Sequence, residues 1–333
     1  MKTPASLLPG MRRLTAGLTA ALNGNGAARR PVKVLDRKLP RFMSTFPNEI
    51  ITCRLPNGRR RRVFIKYEAG LGHNSFGHRG DVAYEAAVYQ RLLRALPEFH
   101  PQCLGVHTDS KRGDTWLILE YAYRSVRVSD LSFHRSTRQP RALVESARWI
   151  ARFHAAHEAR VHDPEFAFLK RYDAEYYRGW ARRTFEFARP LIGRFPWLTA
   201  LAATGDAWFA PLVTARPTII HGEFYSKTVL VRGERLFMVD WESVAIAPGE
   251  IDLATLTEGK HFRGHITRQC GREYARARWP VRAPADFQRT LDAARIYLHF
   301  RRLGERPDWA VREKTLWRYE HLHAAAKRFG LIA

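Results

Sequence analysis

The chain is poor in cysteine and in acid, and it has no long apolar run. Its three cysteines, Cys53, Cys103 and Cys270, are an odd number, lie far apart and include no C-x-x-C pair. Neither a disulfide framework nor a cysteine–zinc centre is expected from that pattern, and thiols this sparse suit a reducing cytoplasm. No stretch of eighteen apolar residues occurs, so no membrane-spanning helix is expected. Leu7 to Leu22 mixes paired arginines with apolar residues but lacks a long h-region and a clear cleavage site. It reads as a short basic surface helix rather than a leader.

Acid is the scarcer charge: 32 Asp and Glu against 56 Lys and Arg leave a formal +24. Such a field draws anions, whether nucleotides, phosphorylated metabolites, nucleic acid or an acidic membrane. The arginines are nonetheless scattered, with only Arg59 to Arg62 in a block. A generally arginine-rich surface produces the same distribution. No nucleic-acid recognition motif accompanies the charge, so nucleic acid is not expected as a partner. A hydrophobic content of 45% over 333 residues is that of a globular chain with a large core and one or two domains.

The first forty residues read as a poorly ordered basic arm, broken at Asn23-Gly24-Asn25-Gly26. Two strand-like runs follow, Glu49 to Leu55 and Arg62 to Tyr67, joined through Pro56-Asn57-Gly58, a strong hairpin signal. The arginine block falls at that turn, where a solvated hairpin tip explains it. Asp81 to Leu96 reads as an amphipathic helix with Ala83, Ala87 or Val88, Leu92 and Leu93 near helical spacing. Gly70-Leu71-Gly72-His73-Asn74-Ser75 looks like the start of G-x-G-x-x-G and no more than the start. Gly70 to Gly80 is therefore read as a connection, with His73 and His78 as loop histidines.

A second hairpin is expected from Leu104 to Thr108 and Thr115 to Tyr121, about Lys111-Arg112-Gly113-Asp114. Beyond it the pattern turns helical: Arg141 to His157, Asp286 to Leu303 with Asp286 as N-cap and Gly304 past the end, and Thr315 to Phe329. His154 is read as a satisfied core histidine. The aromatic-rich segment from Tyr172 to Trp197 is open between core packing and a role in shaping a ligand pocket.

The most informative stretch is Ile219-Ile220-His221-Gly222-Glu223-Phe224-Tyr225-Ser226-Lys227-Thr228-Val229-Leu230, followed by Phe237-Met238-Val239-Asp240-Trp241-Glu242. It reads as strand, polar loop, strand, turn and strand, with His221, Glu223, Thr228 and Asp240 expected at one edge of a small sheet. Carboxylates and a hydroxyl gathered there, with a histidine bracing the loop, suit a divalent cation and a proton acceptor. Phosphoryl transfer needs both, because charge spreads over the transferred group and the attacking hydroxyl must be positioned.

This spacing resembles the aminoglycoside phosphotransferase and choline kinase-like families, which write H-G-D-x-x-x-x-N, then a strand and an I-D-W-E-like segment. Pro248-Gly249-Glu250-Ile251-Asp252-Leu253-Ala254 is similar to their G-x-x-x-D-L-A, whose Asp braces the catalytic loop. Val63-Phe64-Ile65-Lys66 resembles the kinase lysine strand, and Tyr84-Glu85-Ala86-Ala87-Val88-Tyr89 the helix whose glutamate holds that lysine.

The resemblance implies an α+β, protein-kinase-like two-lobed fold: an arm over 1–40, a small antiparallel β N-lobe over 41–121, and a larger, mainly helical C-lobe over 122–333. It implies ATP and Mg2+ as cofactors, a small-molecule hydroxyl acceptor as partner, and a cytoplasmic enzyme. Glu223 would act as base with His221 beside it. Asp240 and Thr228 would hold metal, and Lys66 phosphates, with Glu85 holding Lys66. Backbone groups of Glu120 and Ala122 would read the adenine edge, and Ser44 with Thr45 would cover phosphate in a turn near Met43 to Asn48. Two positions depart from the family: at the base position, 223, Glu stands for Asp, and at 228 Thr stands for the metal-binding Asn. Two readings therefore stay open, an active small-molecule kinase and a kinase-like scaffold that binds nucleotide or a partner without efficient turnover. The +24 charge disfavours a cationic aminoglycoside as acceptor relative to a sugar, an amino alcohol or a natural-product intermediate.

Overall fold

The structure is a computed structural model and describes residues 7–22, 31–40, 45–68, 75–96, 98–109, 113–133, 139–259 and 264–333. The chain divides into two compact units. The first comprises Met1–Val126 with Leu230–Ser243, the second Arg127–Val229 with Val244–Ala333.

In the first unit the helix α1 (Met11–Leu22) precedes the strands β1 (Lys33–Lys38), β2 (Asn48–Arg54) and β3 (Arg60–Tyr67). The helix α2 (Val82–Arg91) then leads to β4 (Cys103–Thr108) and β5 (Thr115–Glu120). The five strands make one antiparallel sheet in the order β1-β2-β3-β5-β4. The β2–β3 hairpin turns at Gly58, whose φ of +81° is the left-handed conformation that the Asn-Gly signal predicts. Lys66 pairs with Asn48 across it and with Leu117 on the other side.

The segment read as an arm does more than decorate the surface. Leu14 and Leu18 of α1 are fully buried with Val32, Ile51, Cys53, Val63, Ile65, Tyr67, Trp116 and Ile118 in one core. Gly17 lies so close to the Trp116 ring that an added Cβ would sit 2.3 Å from it. The helix therefore covers an apolar sheet face that the hairpins by themselves leave open.

The buried face of α2 also differs from the expectation. It is Val82, Glu85, Ala86, Val88 and Tyr89, whereas Ala83 is exposed and the α-helix ends at Arg91. A glutamate occupies the core side, and an apolar-only pattern rotates the helix away from it. Asp81 caps the helix, accepting the Tyr84 N–H at 2.7 Å.

The second unit is mainly helical. Its helices are α3 (Gln139–His157), α4 (Ala174–Phe187), α5 (Trp197–Ala203), α6 (Ala210–Thr214), α7 (Glu250–Thr257), α8 (Gly264–Arg278), α9 (Phe287–Leu303), α10 (Pro307–Ala310) and α11 (Trp317–Phe329). Helix α9 is packed by α4, α6, α7, α10 and α11 and is buried along most of its length. Asp286 precedes α9 as expected but makes no side-chain cap, and Gly304 follows it at φ −79°, right-handed.

The strands β6 (Val126–Arg127), β7 (Lys170–Arg171), β8 (Thr218–Ile220), β9 (Val229–Arg232), β10 (Arg235–Met238) and β11 (Ala245–Ala247) complete the fold. They correct one expectation. The informative stretch does not form a single small sheet: β8 pairs with β11 in the order β7-β11-β8, while β9 and β10 join β6 in the order β10-β9-β6. The polar loop 221–228 leaves one sheet and enters another, so hydrophobic runs alone could not pair its flanking strands.

Candidate active site

In the first unit β3 carries Lys66 into the interior, 2% exposed, and α2 carries Glu85 to meet it. Lys66 Nζ lies 2.8 Å from Glu85 Oε2, 2.5 Å from Asp240 Oδ1 and 3.6 Å from Glu242 Oε2. Asp240 follows β10 in a left-handed conformation, φ +68°, which Asp tolerates better than most residues. Glu85 Oε1 accepts the Trp241 N–H at 3.1 Å, so one glutamate fixes both the ammonium and the backbone beside Asp240. The carboxylate of Glu242 is reached by Arg79 Nε and by the Thr45 hydroxyl, each at 3.3 Å.

Three carboxylates thus surround one ammonium in a nearly dry site. Burial works against the charge on Lys66, but Asp240, Glu85 and Glu242 outweigh it and hold its pKa well above the ordinary value. Burial raises the Glu85 carboxyl, with Lys66 pulling the other way. Glu242 is pushed up to about 8, first by burial and then by Asp240 and Glu85 against the pull of Lys66. Its Oε2 is buried without a hydrogen-bond partner. An all-oxygen donor set with excess negative charge and an orphaned carboxylate oxygen fits a hard divalent cation such as magnesium. Of the three carboxylates, Asp240 is the exposed one, with 36% of its side chain open to solvent.

In the second unit the loop after β8 is clamped from behind. Asp252 of α7, fully buried, accepts the N–H groups of His221 at 2.7 Å and Gly222 at 2.9 Å. Gly222 has φ +80°, a conformation glycine adopts without strain. His154 of α3 lies 3.1 Å from Asp252 and 2.8 Å from the Tyr274 hydroxyl, the satisfied core histidine that was expected. Burial pushes its pKa down to about 4, so it is neutral near pH 7. His221 is itself buried, edge-on to Phe224, its Nδ1 3.4 Å from the Glu223 N–H.

Glu223 is 5% exposed, and its Oε1 is 2.7 Å from Arg301 Nη2 and 3.7 Å from Arg302 Nη2. Arg301 also pairs with Glu305 at 3.0 Å, so its buried guanidinium bridges two carboxylates. The Thr228 hydroxyl reaches the carbonyl oxygens of Glu223 and Tyr225, both at 2.9 Å, closing the loop on itself.

Of the expected site residues, Lys66, Glu85 and Asp240 come together in the first unit, and His221, Glu223 and Thr228 in the second. The Glu120 N–H donates to Gln102 at 2.8 Å, and the Ala122 carbonyl accepts from Ser125 at 3.4 Å. Ser44 lies outside the described residues, as do Met43 and Gly70 to Asn74. Sequence reasoning missed Arg301, Arg302 and the burial of Glu242. A signal for Arg301 existed: it continues the apolar face Leu291, Ala294, Leu298 at helical spacing, and an arginine on such a face requires a buried partner.

The model of the phosphotransferase enzyme family matches residues 57–287, more than half of the 333. The chain belongs to this family. Its fold is similar to that of choline kinase from Streptococcus pneumoniae, 12% identical, covering 90% of this chain and 94% of that one at a TM-score of 0.58. It is likewise similar to a putative aminoglycoside phosphotransferase from Ralstonia eutropha, 14% identical, covering 97% of each chain at 0.60. An amicoumacin kinase in complex with AMP-PNP, Ca2+ and Ami is 13% identical, with 89% and 87% covered at 0.55. No curated sequence is similar enough to this chain to count as a relative.

Proposed function

We propose that the protein transfers the terminal phosphoryl group of ATP to a hydroxyl of a small molecule. The observation that carries this reading is the buried Lys66–Glu85 pair beside Asp240. An ammonium held by one carboxylate and aimed at another is suited to neutralise phosphate, and burial strengthens that interaction. Lys66 then binds nucleotide phosphates, Glu85 positions Lys66, and the backbone at Glu120 and Ala122 meets the base. Asp240 would hold magnesium, with Glu242 close by, and the family pattern would give Thr228 a metal-ligand role. When bound, magnesium supplies charge neutralisation at the transferred group.

Glu223 orients the acceptor hydroxyl and takes its proton. Arg301 fixes the carboxylate in place, and His221 is a positioning residue that keeps the loop in shape. Similarity to enzymes crystallised with AMP or with AMP-PNP and Ca2+ supports nucleotide and metal use.

Calorimetric titration with ATP and magnesium tests the proposal. We expect saturable heat and a rise in melting temperature, both abolished by EDTA and weakened at least tenfold in Lys66→Met. Absence of heat and of stabilisation at millimolar nucleotide sinks it. A nucleotide-binding scaffold without turnover is the second reading, favoured by one observation: the Thr228 hydroxyl is engaged with two carbonyls of its own loop. Binding of ATP without ADP formation on any hydroxyl acceptor selects that reading.

A further inference from the structure

Several cations meet the loop that carries Glu223. Tyr225, two residues on, has its hydroxyl 3.0 Å from Arg301 Nη2 and 2.8 Å from Arg302 Nε. The Arg302 guanidinium also lies over its ring, 4.5 Å from the centroid, and the Lys227 ammonium lies 5.1 Å from the same ring. Burial raises the pKa of the Tyr225 phenol, but Arg301 and Arg302 outweigh it and the net shift is downward.

A third arginine arrives from α11. Arg318 is half-buried, stacks 4.4 Å over Trp317, and has no ion-pair partner within 4.0 Å among the described residues. Burial and then Arg302 push its guanidinium down to about 10, with Arg301 acting in the same direction and Tyr225 and Glu258 against it. The carboxylates Glu223 and Glu305 are both shared with Arg301. Packing like charges into partly buried space costs free energy that a bound anion recovers.

We propose that Arg302 at the Tyr225 hydroxyl beside Glu223, with Lys227 against the same ring and Arg318 on the adjoining helix α11, forms a subsite for a phosphate or carboxylate group carried by the acceptor. Arginine suits this task, since its planar fork takes two anion oxygens at once. The substrate class is then a hydroxylated metabolite bearing an anionic group, such as a sugar phosphate or a sugar acid. A cationic amino sugar meets repulsion here as well as from the net charge. The inference rests on the phosphotransfer reading for the word acceptor, but the binding of the anion does not.

The test is calorimetry on the full chain with glycerol 3-phosphate, glycerate, glycerol and ethanolamine, each without nucleotide, followed by ATP with magnesium. We expect saturable binding of the two anions and none of glycerol or ethanolamine. Arg318→Gln and Arg302→Gln should each weaken the anions about tenfold or more while leaving ATP binding unchanged. Arg318→Gln removes a cation with no carboxylate within 4.0 Å among the described residues, so its melting temperature should equal or exceed that of the wild type, which makes lost binding attributable to the site. Unchanged anion binding in both variants, or no anion binding by the wild type at millimolar concentration, overturns the proposal. Weakened ATP binding with unchanged glycerol 3-phosphate assigns the cluster to nucleotide phosphates and overturns it too. Failure of ATP to bind while glycerol 3-phosphate still does removes the phosphotransfer reading alone.

Discussion

Glu223→Gln keeps the shape of the side chain and removes its charge, so it separates orientation of the acceptor from nucleotide binding. On the proposed chemistry kcat should fall by on the order of 10²–10⁴ with the KM for ATP nearly unchanged. Equal turnover in the variant would leave Glu223 as the structural partner of Arg301, which retains Glu305 either way. A second prediction concerns His154, whose folded pKa of about 4 lies below the ordinary 6.5. Above pH 6.5 neither state protonates it, and stability is flat with respect to this group. Between pH 6.5 and 4 the unfolded chain takes up the proton and the folded chain does not, so stability falls as pH falls. A shift of that size corresponds to about 3 kcal/mol. The melting temperature of His154→Gln should therefore fall less steeply across this window than that of the wild type. Parallel curves would show that the site admits water and protonates freely.

At the scale of elements, α1 decides whether the first forty residues are an appendage or part of the first core. Leu18 is fully buried against the sheet, and its truncation to alanine should cost about 2–5 kcal/mol in urea unfolding. An arm would lose nothing measurable. Arg13 of the same helix pairs with Asp109 at 2.8 Å and Asp114 at 2.9 Å, tying it to both sides of the β4–β5 connection. The hairpins were legible because Asn-Gly and alternation act over a few residues. The buried side of α2 is not legible in an apolar pattern because its decisive residue, Glu85, is polar and its partner Lys66 lies nineteen residues earlier. Helix α7 shows a different balance: its G-x-x-x-D-L-A pattern implied a brace, and Asp252 provides it through two backbone N–H groups. Glu258, just past the end of α7, meets His299 of α9 and His321 of α11, joining three helices in one polar knot.

Over the whole molecule, the +24 charge is distributed less blandly than scattered arginines suggest. Several arginines are structural. Arg278 is buried between Glu250 and Glu158, each at 3.3 Å, Arg301 between Glu223 and Glu305, and Arg37 closes on Glu49 with two contacts of 2.8 Å. The block Arg59 to Arg62 is half-buried to exposed, but only Arg59 lies in the turn, since Arg60, Arg61 and Arg62 pair with β2 as the first residues of β3. Net charge sets the long-range attraction for anions, while local pairing decides where an anion is held.

The sequence by itself determined the chemistry available: a lysine strand, a helix glutamate, the His221-Gly222-Glu223 loop, Asp240 at the end of a strand and the bracing Asp252. Each is written within a segment short enough for periodicity, turn residues and motif spacing to specify it. Only the tertiary structure decided which sheets the strands around that loop join, that Glu242 is buried beside Lys66, and that Arg301 of α9 reaches Glu223, 78 residues away in sequence. Those outcomes depend on burial of charge against a partner distant along the chain. The energy of such a pair comes from the environment that encloses it, and local sequence does not record that environment.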